Sequence, residues 1–351
     1  MKTSLQEIAN QLNISRITVS KVLNNKPGVS LDTKRKVVQK LLEQGYKVID
    51  SSLMDLVSEK SESETNPCIA VVATAPEFSE FWLKIIRSIT DSLSKLKYEC
   101  IYSFLSNKDK DASPYTLPKI LESGNIGGII VINVYEENII RVLSESGIPN
   151  VFLDVCPKMH SEGVNGDLVL LDGYRAITEI TSRIIAQGRR EIGFIGDITY
   201  SKTILDRWSG YKNALKMNHI ELNTSYCFTH SSYGHYYFKE EIERQLSEAP
   251  ALPQAFICAN DFIAFMLIDI LKKKNYRVPE DIAVSGFDDI REKLTEESEL
   301  TTVTIDTQML GQRLVQQILM KVETPEKPNE IVYIEPKVIF RKSTDFAASD
   351  A

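Results

Sequence analysis

Four side chains within residues 15–24, Arg16, Ile17, Ser20 and Lys21, fall on one side of a predicted helix. Guanidinium and ammonium groups can donate to guanine O6 and N7, and an isoleucine can touch a thymine methyl group. Hydroxyl groups suit the phosphate backbone instead. These residue types predict a surface that can meet DNA, although the helix pattern alone fits any small helical bundle equally well.

The element that must position these side chains is a short capped helix. Ser15 is a favourable N-cap, since its hydroxyl can accept a backbone N–H of the first turn. Val19, Val22 and Leu23 fall at helical spacing and are expected to face inward. The turn-forming residues at 24–28 then end the helix.

Two further helices are predicted beside it. Ser4 and Glu7 have the spacing of a capping box, and an apolar stripe follows over residues 5–12. A third helix is expected from a Ser30 cap to Gln44, with Gly45 as its stop. Two short capped helices joined by a tight turn are the helix-turn-helix arrangement.

The charge of this region differs from that of the rest of the chain. Residues 1–50 contain nine Lys and Arg against four Asp and Glu, a net charge of +5. The whole chain has a net charge of −7, so the remainder carries −12. A basic head on an acidic body is expected when only the head meets phosphate.

Length and composition indicate an ordinary globular protein of two or three domains. Hydrophobic residues make up 43% and charged residues 25%, and no apolar run approaches the length of a membrane helix. Without an apolar signal segment at its N-terminus, the protein is expected to be soluble and cytoplasmic. The five cysteines are scattered and predict free, buried thiols, and the four histidines have no metal-ligand spacing.

Beyond a polar linker, the pattern changes to alternating strands and helices. Strands are predicted at 68–73, 98–104, 127–132, 149–154, 191–196, 255–259 and 282–287, with edge strands at 331–334 and 337–340. Helices are predicted at 80–96, 116–122, 136–146, 172–187, 207–217, 261–275 and 306–321. Two successive α/β lobes imply a cleft between them, with ligands outside the carboxyl ends of the strands.

In its motifs, the chain resembles the lactose/galactose repressor family. The head motifs are Gln6-Glu7-Ile8-Ala9, residues 15–24 and Gly45-Tyr46. The core motifs are Gly127-Gly128-Ile129-Ile130, Ile148-Pro149, Ile192-Gly193-Phe194-Ile195-Gly196, Arg207-Trp208-Ser209-Gly210-Tyr211, Cys258-Ala259-Asn260-Asp261, residues 278–289 and Leu300-Thr301-Thr302-Val303. The resemblance covers nearly all of the chain and implies a homodimeric repressor whose core resembles periplasmic sugar-binding proteins.

The resemblance implies a set of DNA-binding residues in the head. Arg16 and Ile17 match the base-reading positions of the family, and Lys21 matches another contact, for which a phosphate is nearly as good a partner as a base. The complete set is Ser4, Ser15, Arg16, Ile17, Thr18, Ser20, Lys21 and Asn24. A dimer would present two such helices to a pseudo-palindromic operator.

The linker departs from the family, whose members carry a basic hinge helix with a leucine that wedges into the minor groove. The aligned position is Asp55, and residues 50–64 contain five acids against Lys60 alone. Either Leu53 or Leu56 acts as the wedge in a shifted register, or the protein does not kink DNA in this way; we favour the second interpretation.

The resemblance also implies an effector site in the interlobe cleft. Carboxylate and amide groups at converging strand ends suit vicinal hydroxyls, an arginine adds a fixed fork of donors, and an aromatic ring can stack on a sugar face. The candidates are Phe78, Phe81, Asp154, Arg207, Tyr233, Asn260 and Asp288. Core packing or helix capping is the alternative explanation for each of them.

These observations predict an all-α helix-turn-helix head plus an α/β core of two doubly wound lobes of the periplasmic-binding-protein type. The expected domains are a head at 1–48, a hinge at 49–66 and a core at 67–345. Within the core, we expect an N-lobe at 67–158 plus a segment near 288–320, and a C-lobe at 159–287 plus 321–345.

The function expected is that of a ligand-responsive transcriptional regulator, a repressor that binds a double-stranded DNA operator as a homodimer under control of a small carbohydrate effector. No cofactor and no membrane partner are expected. A soluble sugar-binding protein is the alternative, disfavoured by the basic head. An enzyme is disfavoured because the chain has no Ser/His/Asp order, no metal-ligand spacing and no phosphate-binding loop.

Overall fold

The computed structural model describes residues 4–44, 46, 53, 68–74, 80–105, 116, 118–121, 125–232, 236, 238–290 and 299–345. The chain divides into two units, Met1–Thr65 and Asn66–Ala351. Each unit is described by itself.

The first unit is a head of three helices, α1 (Leu5–Gln11), α2 (Arg16–Leu23) and α3 (Leu31–Glu43). Each begins at the predicted serine, because Ser4, Ser15 and Ser30 all accept a backbone N–H of the first turn. Ser4 also forms the predicted capping box with Glu7. The core they enclose consists of Ile8, Ala9, Val19, Val22, Val37, Val38, Leu41 and Leu53.

The second unit begins with a run of parallel strands and their helices. The strands are β1 (Cys68–Thr74), β2 (Cys100–Leu105), β3 (Ile126–Ile132), β4 (Asn150–Leu153) and β5 (Asp167–Leu171). The helices are α4 (Glu80–Lys95), α5 (Glu137–Ser144) and α6 (Pro157–Glu162). Every residue of β1 is buried, as its continuous apolar sequence predicts for a strand covered on both faces.

A second βα series follows. Its strands are β6 (Ile192–Ile195), β7 (Cys227–Phe228), β8 (Ala255–Cys258) and β9 (Ala283–Ser285), which form a parallel sheet in the order β7-β6-β8-β9. Its helices are α7 (Gly173–Ala186), α8 (Lys202–Met217), α9 (Lys239–Glu248) and α10 (Asp261–Lys273). A short 3-10 helix, Thr224–Tyr226, precedes β7.

The last part of the chain passes between the lobes. Its elements are β10 (Thr302–Thr304), α11 (Thr307–Glu323), β11 (Ile331–Ile334), β12 (Lys337–Ile339) and the 3-10 helix Lys342–Thr344. β11 joins the first sheet, whose order is β11-β5-β4-β3-β1-β2, while β10 and β12 pair with each other. α11 packs on α4 and β3 and therefore belongs to the N-lobe.

This pairing corrects the lobe boundaries expected from the sequence. β5 pairs in parallel with β4, and β11 pairs with β5, so both strands lie in the N-lobe sheet. The expected boundary at residue 158 is too early, and residues 331–334 do not belong to the C-lobe. An apolar strand sequence shows that a strand is buried but not which sheet it joins.

Several predicted elements also change. Residues 118–121 make a turn closed by Leu121 N donating to the Pro118 carbonyl, where a helix at 116–122 was expected. α8 begins after a Ser201 cap, so Arg207 lies on its second turn and does not start the helix. The sequence patterns did not predict α6, α9, β5, β7 or β10, all of which have fewer than eleven residues.

Candidate DNA-binding helix and interlobe site

The outer side of α2 carries the DNA-binding candidates. Ile17 is 70% exposed, although it is a large apolar residue, while Val19 and Val22 on the opposite side are fully buried. Ile17 therefore has no packing role in the head. The concave surface beside it is lined by Arg16, Ile17, Ser20, Lys21, Asn24 and Lys26.

The polar candidates around α2 also hold the ends of the helices. The Ser15 hydroxyl accepts the Thr18 backbone N–H at 3.1 Å and lies 2.9 Å from the Thr18 hydroxyl. The Asn24 amide donates to the Ser20 carbonyl at 2.8 Å. Ser4 accepts the Glu7 backbone N–H at 3.3 Å. Helix capping thus explains part of why these residue types occur at these positions of the head.

Of the two hinge candidates, the structure describes only Leu53. Its side chain is fully buried and packs in the core of the head with Ile8 and Leu41. A leucine held in this way presents no side chain to a DNA groove. Leu56 lies outside the described residues.

The cleft between the lobes contains a cavity of about 130 Å³, which we call the effector cavity. Five of the seven effector candidates line it. Among the described residues, its lining is Phe81, Trp82, Asn133, Tyr135, Leu153, Asp154, Leu171, Tyr200, Ser201, Thr203, Ile204, Arg207, Asn260, Phe262, Asp288 and Ile290. Phe78 and Tyr233 lie outside the described residues.

Asp154 directly follows β4 of the N-lobe. Its side chain joins the two lobes by hydrogen bonds to α8 of the C-lobe. Its backbone is left-handed, with φ of 66°, which turns the carboxylate toward α8. That carboxylate accepts the Val155 N–H at 2.9 Å and the Thr203 hydroxyl at 2.5 Å. Burial raises the pKa of Asp154, and these hydrogen bonds act in the opposite direction. Its lone pairs are largely occupied by protein donors.

Arg207 is the buried cation of the cavity, with only 5% of its surface exposed. One guanidinium nitrogen, Nη1, donates to the Ala259 carbonyl at 2.5 Å, and the group lies 3.6 Å from the centre of the Phe287 ring. Nη2 lies 3.9 Å from Asp288, and Nε has no partner among the described residues. Burial lowers the pKa of Arg207, yet an arginine keeps its charge in proteins.

Asn260 and Asp288 follow the strands β8 and β9. The Asn260 side-chain oxygen caps α10 by accepting the Ile263 N–H at 2.9 Å, which leaves its amide N–H₂ for a ligand. Asp288 has φ of 107° and is fixed by its own N–H, which donates to the Val303 carbonyl at 2.9 Å. Burial raises the pKa of Asp288 to about 6, against the opposing effect of Arg207.

The sequence analysis missed several residues of this site. Asn133, Tyr135 and Tyr200 lie just after β3 and β6, and the rings of Tyr135 and Tyr200 meet across the lobes at 4.4 Å between centroids. Thr203 supplies the donors to Asp154. For Asn133, Tyr135 and Tyr200, the position after a strand end was the available signal.

Asp261 was also missed as a support of the site. Its carboxylate accepts the Thr302 hydroxyl at 2.6 Å and the Ile290 N–H at 2.8 Å, which fixes the segment that carries Asp288. The side chain is almost completely buried. Burial, together with the nearby Asp288 carboxylate, raises the pKa of Asp261 to about 8.

Other chemistry is limited in the described part of the chain. All five cysteines are free, and Cys68, Cys156 and Cys258 are buried as expected, whereas Cys100 and Cys227 are only half-buried. The described residues include no group of three or more His, Cys, Asp or Glu suited to a metal ion. None of their helices is long and apolar enough to cross a membrane.

The comparisons with known proteins agree with this architecture. Residues 4–48 match the family of bacterial regulatory proteins called lacI, and residues 181–344 match a periplasmic binding protein-like domain. The HTH-type transcriptional regulator RegA of Clostridium saccharobutylicum is 27% identical over 98% of this chain and 100% of its own. The HTH-type transcriptional repressor PurR of Mannheimia succiniciproducens is 24% identical over 97% and 98%.

Two solved structures share the fold. One is a complex of the transcriptional regulator CelR with cellobiose, with a TM-score of 0.66 and 20% identity over 97% of this chain and 99% of that chain. The other is a lac repressor dimer bound to operator and the anti-inducer ONPF, with a TM-score of 0.66 and 20% identity over 98% and 99%.

A helix-turn-helix head followed by a two-lobed periplasmic-binding-protein-like core defines a class of DNA-binding transcriptional regulators, and this protein is one of them. Within that class, its head at residues 4–48 is that of the lacI family. Its relatives are transcriptional regulators and not enzymes, in agreement with the sequence analysis.

The buried Asp261 predicts a pH-dependent stability. Because its pKa of about 8 lies above the roughly 4 of an unfolded aspartate, the folded core binds the proton more tightly. Asp261 therefore contributes stability that is present at low pH and lost as the pH rises toward about 8. Between pH 5 and pH 8 we expect wild type to lose stability relative to Asp261→Asn, by up to roughly 1.4 kcal/mol per pH unit.

Urea unfolding of both full-length proteins at several pH values measures this difference. Asp269→Asn is the matched control, because that carboxylate lies on the same helix and is 55% exposed. A difference between wild type and Asp261→Asn that does not change with pH would contradict the prediction.

Proposed function

We propose that the protein is a homodimeric repressor that reads a pseudo-palindromic operator through α2 and responds to a carbohydrate in the effector cavity. The observation that carries the proposal is the convergence of Asp154, Arg207, Asn260 and Asp288 on one interlobe cavity in a chain that also carries a helix-turn-helix head. As a DNA-binding transcriptional regulator, it would act in the cytoplasm.

The DNA contacts divide by chemistry. Arg16 and Lys21 are exposed cations on the outer side of α2 and would pair with guanine edges or phosphates, while the exposed Ile17 would meet a thymine methyl group. The remaining candidates, Ser4, Ser15, Thr18, Ser20 and Asn24, lie at or near helix ends and would orient the head on the phosphate backbone.

We expect Arg16→Ala to weaken specific operator binding by roughly 5-fold to 150-fold, the equivalent of about 1–3 kcal/mol for one bidentate base contact. The probe is an operator selected from random-sequence DNA by the full-length protein, with affinity measured by fluorescence anisotropy. Lys216→Ala, an exposed cation of α8, is the control and should bind normally. Unchanged binding by Arg16→Ala would remove Arg16 from the base-reading set.

Truncation tests whether the head alone binds the operator and the core alone binds the ligand. Removal of residues 1–50 should abolish operator binding and leave ligand binding by the core intact. Specific DNA binding by that truncated chain would overturn the assignment of the head.

The effector cavity supports a carbohydrate ligand through its remaining hydrogen-bonding groups. The Asn260 amide is a donor without a partner among the described residues, and Arg207 Nη2 approaches only Asp288, at 3.9 Å. The Asp288 carboxylate is an acceptor. Phe81 and Trp82, with ring centroids 5.0 Å apart, add an apolar surface suited to the C–H face of a sugar ring. A few polar groups in an apolar cavity fix the orientation of a small ligand.

A thermal-shift screen of free sugars should identify ligands that raise the melting temperature of wild type, since a ligand of the folded state stabilises it. The same sugars should change the operator Kd by about 5-fold to 150-fold in one direction. Arg207→Met should lose the ligand-induced shift relative to its own unliganded melting temperature. Arg175→Met, whose side chain is 71% exposed, should retain it.

Arg207→Lys keeps the buried positive charge. Its melting temperature therefore shows whether a lost ligand-induced shift reflects lost ligand binding or lost folding. A screen in which no carbohydrate shifts the wild-type protein would overturn the carbohydrate assignment. Ligand binding that survives in Arg207→Met would remove Arg207 from the site.

An exposed apolar surface on the N-lobe supports the homodimer. Leu83 of α4 and Tyr102 and Phe104 of the edge strand β2 are 45%, 37% and 56% exposed, and the rings of Tyr102 and Phe104 lie 5.9 Å apart. Adjacent exposed apolar groups of this kind mark interaction sites. A two-fold axis through this surface would pair it with itself.

Phe104→Glu should therefore convert the dimer to monomer, because it places a charge in an apolar interface. Sedimentation velocity measures the change. Tyr333→Glu is a matched control, since Tyr333 is 52% exposed on β11 at the opposite edge of the same sheet. A Phe104→Glu protein that remains dimeric, or a wild-type protein that is monomeric, would contradict this interface.

A further inference from the structure

A second cavity, of about 250 Å³, adjoins the effector cavity. The two share Phe81, Asp288 and Ile290. The described residues that line the second cavity alone are Glu80, Lys84, Asp289, Thr304, Ile305 and Thr307. We call it the crossover cavity, because it lies against the segment in which the chain crosses from β10 of the C-lobe to α11 of the N-lobe.

The position of the crossover cavity makes it part of the interlobe site. Glu80 and Lys84 come from the first turns of α4 in the N-lobe, and Asp289 follows β9 of the C-lobe. Thr304 ends β10, and Thr307 begins α11 directly after the Asp306 cap. A group bound here would contact both lobes and the chain that connects them.

The sizes of the two cavities bear on the length of the ligand. The effector cavity has about 130 Å³ and the crossover cavity about 250 Å³. A ligand confined to the effector cavity would leave the larger part of the cleft to water. Asp288, which lines both cavities, can accept hydrogen bonds from a ligand that extends from one into the other.

The charges of the crossover cavity decide what the additional group can be. The Lys84 ammonium is paired with Glu80 at 2.7 Å, and the Asp289 carboxylate is paired with Arg341 at 2.7 Å. Asp288 adds a further carboxylate, whose closest described cation is Arg207 at 3.9 Å. No cation is left over among the described lining residues to receive a phosphate.

A phosphate ester would bring a charge of about −1.5 to −2 into this acidic surrounding and is therefore disfavoured. Neutral hydroxyl groups are compatible with it, because they can donate to carboxylates and exchange hydrogen bonds with the hydroxyls of Thr304 and Thr307.

We propose that the effector is an uncharged glycoside of two units, such as a disaccharide, with one ring in the effector cavity and the second in the crossover cavity. This inference rests on the proposed carbohydrate response and specifies its substrate class. It also makes the site selective for free sugars over sugar phosphates.

Isothermal titration calorimetry of the full-length protein tests the length and the charge of the ligand. The probes are glucose, galactose, mannose and fructose, their 6-phosphates, and the disaccharides cellobiose, maltose, lactose, sucrose and trehalose. The best disaccharide should bind at least about ten-fold more tightly than its own component sugars. Each 6-phosphate should bind at least about ten-fold more weakly than the free sugar.

One variant with a matched control localises the second unit, and a third variant tests the charge argument. Thr307→Phe fills the crossover cavity and should reduce disaccharide affinity to the level of the component sugar, while monosaccharide affinity stays unchanged. Gln308→Phe, an exposed position on the same turn that does not line the cavity, should bind like wild type. Glu80→Gln frees Lys84 and should raise the affinity for a 6-phosphate relative to that for the free sugar.

The outcomes separate this inference from the proposed function. If no carbohydrate binds, the carbohydrate response itself fails. If a monosaccharide binds as tightly as every disaccharide that contains it, or if Thr307→Phe weakens both ligands equally, only the two-unit ligand fails. Tighter binding of a 6-phosphate than of its free sugar would overturn the charge argument alone.

Discussion

The buried guanidinium of Arg207 is the constraint on which the core depends. A cation removed from water is stable only with partners, and removal of one partner of a buried ion pair costs roughly 3–5 kcal/mol. Arg207 obtains its compensation from the Ala259 carbonyl, the Phe287 ring and Asp288, three groups that follow two different strands. The carboxyl ends of β8 and β9 must therefore meet the second turn of α8.

This requirement extends to backbone positions that carry no ligand-binding group. A Cβ atom on Gly173, the first residue of α7, would lie 2.7 Å from Arg207 Cγ. The start of α7 can therefore approach the Arg207 side chain this closely only with a glycine at this position. A Cβ atom on Gly286 would lie 2.1 Å from an Asp261 oxygen. Asp261 in turn holds the Ile290 N–H and so fixes the left-handed turn at Asp288.

The parts of this structure that the sequence predicted are those determined locally. Ser15 and Ser30 cap their helices with hydroxyls that act within three residues, so the head could be predicted from short motifs. The strand β1 could be predicted from its apolar run because both of its faces are covered.

The parts that the sequence did not predict depend on partners far along the chain. β5 and β11 were assigned to the wrong lobe because their pairing with each other joins residues more than 160 positions apart. Thr203 escaped notice because its partner, Asp154, is 49 residues away. Arg207 was placed at a helix start because the Ser201 cap, six residues earlier, was not recognised.

The contacts between the lobes also limit how a ligand can act. Lys202 N donates to the Val155 carbonyl at 2.8 Å, and Thr203 donates to Asp154, so the protein itself supplies hydrogen bonds across the cleft. A ligand changes a conformational equilibrium only through interactions that differ between the states. The groups left for that purpose are those with few partners among the described residues, above all Arg207 Nη2 and the Asn260 amide.

Both of these groups lie on the C-lobe, on α8 and at the start of α10, whereas the aromatic surface of Phe81 and Trp82 lies on the N-lobe. A ligand that hydrogen-bonds to the first and stacks on the second must contact both lobes at once. The distribution of these polar groups and the apolar surface would therefore make a bound ligand an additional link between the lobes, beyond the link that Asp154 already provides. Under the proposed function, the free energy of that link is what would reach the head as a change in operator affinity.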